Sequence, residues 1–231
     1  MRITESVPRD PAVDSVDGAS REPDCSRRRF VGRALISLSA AVPLAAGMAA
    51  MAPVPARAQD PRAVVEVAVL NYLLRLEYLQ QALYRRALTR FSAGDFTPYG
   101  ASTWGTLLMF EEQETTHVAT LRDFVERLGA PVQPDCGDRF PRFRDPAAFL
   151  ETALVVENAV VSAYLGVTPM LRLPQVQTAV TSIATVEARH SAFVGFLNGV
   201  APAPAAADTP RARAEVAQLL APYFRSCGEA S

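Results

Sequence analysis

The sequence predicts an all-α protein: an up-down four-helix bundle with one long crossover, followed by a C-terminal helix. Three observations carry that expectation. Apolar residues recur at three- and four-residue steps through four stretches of roughly 20–30 residues. Few runs alternate as strands do, and no internal repeat stands out. The links between the stretches are short, long and short, and a long middle link lets the second and third helices lie parallel. At 231 residues and 49% hydrophobic, the chain can bury a sizeable core. Its formal charge of −1 gives no basic field, so nucleic acid is not an expected partner. All 23 basic residues are arginine, which points to compositional bias and to no function.

The first 58 residues read as a signal region rather than as part of the bundle. Residues 1–25 are polar; Ser26-Arg27-Arg28-Arg29-Phe30 follows, then an apolar run over 34–52, then Ala56-Arg57-Ala58 ahead of Gln59. That is a basic segment, an apolar segment and a small-residue cleavage site in order. The Arg27, Arg28, Arg29 and Phe30 stretch resembles a twin-arginine export signal. It implies the twin-arginine translocation machinery as partner, cleavage after Ala58, and a periplasmic or otherwise exported protein. An uncleaved anchor is the alternative, since the apolar run is nearly long enough to span a bilayer. Cys25 departs with the signal, and the remaining pair, Cys136 and Cys227, allows one disulfide in an oxidising compartment.

The bundle is expected over 59–199. Its first helix runs from Pro61, a residue suited to a first turn, to Phe91, with Leu70, Leu73, Leu74, Glu77, Gln81 and Tyr84 on one side. "SAGDFTPYG" breaks it. The second helix covers Ser102 to Leu128, its stripe formed by Leu107, Phe110, Glu114, His117, Leu121 and Val125; Gly129 and Pro131 stop it. Residues 129–145 form the Pro-rich crossover. Asp145 is placed to cap a third helix that has Pro146 in its first turn and runs to Gly166. The fourth starts at Pro174 and stops at Asn198-Gly199. Residues 200–231 are a Pro/Ala-rich linker and a short amphipathic helix over 210–224.

Charged residues on a core-facing stripe are costly unless something neutralises them. Glu187 and His190, inside "ATVEARHSAFV", break the apolar stripe of the fourth helix, and Glu114 and His117 repeat the same spacing on the second. Residues three apart share a helix face, so each pair can reach one metal ion. Glu77 lies on the first helix's stripe and Glu157 on the third's. The order Glu, Glu-x-x-His, Glu, Glu-x-x-His, one element per helix, is the ligand pattern of di-iron and di-manganese carboxylate bundles. Both histidines of the chain follow a glutamate at distance three, which random placement of 13 glutamates makes rare. Four carboxylates balance two divalent ions, and carboxylate with imidazole suits iron or manganese. The expected cofactor is therefore two metal ions per chain held by Glu77, Glu114, His117, Glu157, Glu187 and His190. Glu111 and Glu112 read as solvated, with Glu111 one turn from Glu114. Tyr84 and Tyr164, two turns beyond Glu77 and Glu157, read as core aromatics.

With these motifs in hand, the chain resembles ferritin-like domain proteins. More narrowly it is similar to the exported bacterial group related to plant desiccation-related proteins. "NYLLRLEYLQQALYRRAL" and "ENAVVSAYLG" carry the narrower likeness, the two Glu-x-x-His pairs the broader, over residues 62–199. The resemblance implies a ferritin-like fold and the six metal ligands named above. It implies reaction with oxygen or peroxide as substrate, in oxidative-stress or desiccation protection. That would be a di-metal oxidoreductase or a manganese-catalase-like peroxide disproportionation. Iron binding and storage, or a non-catalytic structural envelope role, remain as alternatives, and a homo-oligomer stays open.

Overall fold

Where the sequence repeats its apolar residues every three to four positions, the chain is helical. The computed structural model describes residues 61–227. The signal residues Arg27, Arg28, Arg29 and Phe30 and the cleavage site before Gln59 lie outside the described residues. The helices are α1 (Pro61–Arg90), α2 (Thr103–Arg127), α3 (Pro146–Val167), α4 (Pro174–Leu197) and α5 (Arg213–Leu220). Short 3-10 turns occupy Ala93–Tyr99 and Thr168–Met170. Among the described residues the only strand-like pairing is an isolated antiparallel bridge between Asp138 and Phe224.

Side-chain contacts fix the directions. Asn71, early in α1, donates to Pro131 O beyond the end of α2, whereas Arg85, late in α1, pairs with Glu111 near the start of α2. Glu66 accepts from the backbone of Arg172 and Leu173 beyond the end of α3, while Tyr84 meets Phe149 near its start. Both α2 and α3 therefore run against α1 and parallel to each other. That arrangement requires a connection as long as the bundle, and residues 128–145 supply it. In α4, Ser191 bonds Asn158 and Asn198 bonds Leu150 O, so α3 and α4 form a second antiparallel hairpin.

Local sequence sets the ends of these helices. The Asp145 carboxylate accepts from Ala148 N at 2.8 Å, and Pro146 fills the position whose N–H would otherwise lack a partner. Gly129 takes φ +71° just past α2, the left-handed turn that a helix stop requires. By length and composition α3 is apolar enough to cross a membrane, yet it is largely buried and packs on α4, α5 and α1. Its apolar character is that of a core helix.

The N-terminal hairpin is covered more completely than a bundle alone would cover it. Leu76 and Leu79 of α1 are buried although they fall outside its expected stripe. The crossover and the tail lie over that second face. Asn71 holds the crossover from both sides, donating to Pro131 O and accepting from Gln133 N at 2.7 Å. The tail pairs with the crossover through Arg139 N to Tyr223 O and stacks Tyr223 on Phe140 at 5.2 Å. Cys136 and Cys227 lie there with Cα atoms 4.8 Å apart and their sulfurs at bonding distance. The C-terminal helix is shorter than the 210–224 expected from the sequence. It begins at Arg213, with Ala212 N held by Glu215, and it stops at Leu220 ahead of Pro222, as the chain turns toward its bridge with Asp138.

Candidate metal site

Each helix of the bundle delivers a carboxylate to the same buried place. Glu77 from α1, Glu114 from α2, Glu157 from α3 and Glu187 from α4 are all fully buried, and His117 and His190 are 1% exposed. The structure thus brings together all six residues that the spacing singled out. Two groups of their ligand-capable atoms lie within 4.8 Å: Glu77, Glu114, His117 and Glu187 in one, Glu114, Glu157 and His190 in the other.

Glu114 and Glu187 occupy the middle. His117 Nδ1 is 2.9 Å from Glu187 Oε1 and 3.4 Å from Glu114 Oε2; His190 Nδ1 is 2.9 Å from Glu114 Oε1 and 3.8 Å from Glu187 Oε2. Glu77 completes the His117 side, with Oε2 at 3.2 Å, and Glu157 falls in the group with His190. The two imidazole rings lie 6.2 Å apart.

The surroundings finish the carboxylates in a reciprocal way. Tyr164 of α3 donates to Glu77 of α1, and Tyr84 of α1 donates to Glu157 of α3 at 2.5 Å. The Gln80 amide donates to Glu157 Oε2 at 3.1 Å and to Glu187 Oε2 at 2.6 Å. On the far side of His190, Nε2 lies 2.7 Å from Gln113 Oε1. An amide oxygen can only accept, so this contact keeps the proton on Nε2 and leaves the Nδ1 lone pair facing the carboxylates. Phe110 lies against the His190 ring with centroids 3.9 Å apart.

Sequence reasoning treated Tyr84 and Tyr164 as core aromatics and did not single out Gln80 or Gln113 for the site. Both tyrosines are indeed buried, but their hydroxyls serve the site. The shared +7 offset from Glu77 and Glu157 is the signal that could have found them. Glu111 binds Arg85 and Thr115 at the surface, one layer out, and Glu112 is exposed. Val156 and Val160 are sealed behind the carboxylates, while Val186 and Phe193 are half-buried.

The electrostatics of the bare residues are unfavourable in a way that a cation would relieve. Burial, with smaller contributions from neighbouring carboxylates, holds Glu77 and Glu114 up to about 7. Burial and then Glu187 push Glu157 well above the carboxylate range. Burial alone would lower His117, but Glu114, Glu187 and Glu77 outweigh it and raise it well above an ordinary imidazole. Burial takes His190 down to about 4, so it stays neutral. Glu77 Oε2, both oxygens of Glu114, Glu187 Oε1 and the Nδ1 atoms of both histidines make no directed hydrogen bond. They are close to one another, as the 2.9 Å contacts show, and without shared protons or a cation between them acceptors would face acceptors. Burying so many unmet lone pairs costs several kcal/mol per charged group. A hard or borderline divalent ion satisfies such a set, and the donors present, carboxylate oxygen and imidazole nitrogen, fit one.

Residues 65–199 match the sequence model of a family described as a ferritin-like domain. The matched stretch includes all six residues. Among curated proteins, none matches the chain.

Proposed function

The chain belongs to the ferritin-like domain family, and from that premise we propose that it holds a dinuclear iron or manganese centre reacting with oxygen or peroxide. The observation that carries this reading is the set of unmet, converging lone pairs on Glu77, Glu114, His117, Glu187 and His190. Glu114 and Glu187 lie between the two histidines and would hold the metal together with them, while Glu77 would serve the His117 side and Glu157 the His190 side. Two such ions, when bound, would pass electrons to oxygen or peroxide, and a second peroxide or an external reductant would return them. The protein's own part is to hold their ligands and to limit water. Tyr164 and Tyr84 restrain the outer carboxylates, Gln113 orients His190, and Val156 and Val160 close the α3 side.

The proposal extends to where this happens. Arg27 to Phe30 and Ala56 to Ala58 support export by the twin-arginine route, which carries folded proteins, so metal could enter before translocation. Replacing Arg27 and Arg28, or Arg28 and Arg29, with Lys should strand the precursor in the cytoplasm.

The deciding experiment is metal analysis of the native protein, paired with anaerobic loading of iron or, separately, manganese and then addition of oxygen or peroxide. Close to two ions per chain are expected, with optical change and oxidant loss. Glu114→Ala should lose the metal and melt earlier, because bound metal stabilises only the folded state. Many more than two irons per chain would favour storage. Wild type that takes up neither metal, or that is loaded yet inert to both oxidants, would leave a structural role.

A further inference from the structure

A second concave feature lies on the outer face of α1, away from the carboxylates. The cleft between α1, α5 and the tail measures about 580 Å³, within the usual span of small-molecule sites, roughly 300–1,000 Å³. One part of its wall is apolar, from Leu76, Val216 and the rings of Tyr72 and Phe224; the other is cationic, from Arg139, which has a partner of its own, and from Arg75, Arg213 and Arg225. Among the described residues no carboxylate lines it. Among the described residues Arg75, Arg213 and Arg225 form no ion pair, in a protein where Arg85, Arg86, Arg122, Arg127 and Arg144 all do.

Two of the guanidiniums lie over rings. Arg213 lies 4.9 Å over Tyr72, and Arg75 lies 4.4 Å over Phe224. Stacking fixes the plane of a guanidinium and leaves its edge free to donate in pairs. Arg213 Nε and Nη2 and the Tyr72 hydroxyl are buried without a hydrogen-bond partner. Leaving such donors unmet is costly unless a ligand takes them up. Burial also pushes the Tyr72 phenol up to about 12, so it remains a donor.

We propose that this cleft binds a small organic anion, with a carboxylate or phosphate head on an apolar or aromatic body. The head would meet the edges of Arg213 and Arg225 and the Tyr72 hydroxyl; the body would lie along Leu76, Val216 and Phe224. Planar, bidentate recognition of such heads is what arginine does best. The site is separate from the metal ligands and stands whether or not they turn over an oxidant.

The test is calorimetric titration of the full-length protein, disulfide intact, with phenylpropionate, phenyl phosphate and inorganic phosphate. At least one aromatic anion should bind at one site per chain, and inorganic phosphate should bind more weakly because it has no apolar body to bury. The two aromatic probes decide between a carboxylate and a phosphate head. Arg213→Gln and, separately, Arg225→Gln should each weaken binding by about tenfold or more. Metal content and Tm in Arg225→Gln should stay at the wild-type level. The proposal fails if neither aromatic probe saturates by roughly 10 mM, or if the R213Q/R225Q double variant binds as wild type does. It fails too if binding emerges only after deletion of residues 228–231, which would assign the cleft to the chain's own C-terminal end.

Discussion

Glu77 and Glu157 each have one oxygen fixed by a phenol, a restraint that would hold them in place as metal ligands. Removing the hydroxyl of Tyr84 or Tyr164 takes away a donor while leaving the ring that packs the core. Partners of this kind typically tune metal affinity by about 10–100-fold. Tyr84→Phe and Tyr164→Phe should therefore weaken metal binding over that range in competition titrations with a chelator, while the fold is retained. Unchanged affinity in both would show the phenols to be packing groups only. A second expectation concerns pH. The native metal-free site keeps protons on Glu77 and Glu114 up to about 7, whereas unfolded carboxylates release theirs at about 4–5. The folded state then binds more protons, so stability is full below the unfolded value and is lost as pH rises through about 7. His117, raised, acts in the same direction; His190, at about 4, acts the other way below the ordinary imidazole range. Calorimetry should show the Tm of metal-free protein falling from about pH 5 to about pH 8, and metal uptake should release protons. A Tm that rises over that window would contradict the assignment. The six ligands were legible in the sequence because Glu-x-x-His spacing and stripe position are properties of single helices. Gln80, Gln113 and the tyrosine hydroxyls were not, because their partners depend on how one helix is rotated against another.

At the scale of elements, α3 shows how closely the later segments are fitted to the bundle. Arg211 N donates to Ser162 O at 3.0 Å, drawing the linker onto α3 just before α5 begins. A Cβ on Gly166 would lie 2.1 Å from Arg211 O, which is backbone and cannot swing away. Gly166→Ala should therefore displace the linker and loosen α5, whose Val216 and Leu220 are fully buried. A loss of about 1–3 kcal/mol is expected in denaturant titration, as for other overpacked positions. Faster proteolysis at 200–212 should accompany it; wild-type stability and protease resistance would show that the linker can adjust freely. The sequence placed Gly166 only as the end of a helix. Its close neighbour is 45 residues away in the chain, a distance that periodicity does not reach. The Asp145 cap was legible because its partner, Ala148, is local.

Across the whole molecule, the tail returns to the crossover and covers the outer face of α1. The bridge Asp138–Phe224, the Phe140–Tyr223 stack and the Cys136–Cys227 pair act at one place. Closing 91 residues of sequence separation restricts the unfolded chain, which is worth up to about 5 kcal/mol. Peptide mapping of exported protein without reductant should recover the two cysteines in one linked peptide, and C136S/C227S should have a lower Tm with its metal content intact. Both thiols free, or an unchanged Tm, would argue against the bond. The four-helix order and the long crossover were legible from link lengths, since a parallel pair of helices needs a chain that travels the bundle's length. Docking of the tail was open, because two cysteines permit a bond without requiring it.

The exchange of phenols between the two hairpins also bears on how the protein assembles. Tyr84 sits on the first hairpin and completes a carboxylate of the second; Tyr164 does the reverse. Neither hairpin alone contains a finished half of the centre, because Glu114 and Glu187 also face both histidines. If the site holds metal as proposed, capture is expected to follow docking of the two hairpins rather than to nucleate either one, a latch on the last step of folding rather than a seed for the first. The time course of metal uptake in a refolding chain is, on this account, a clock for hairpin docking.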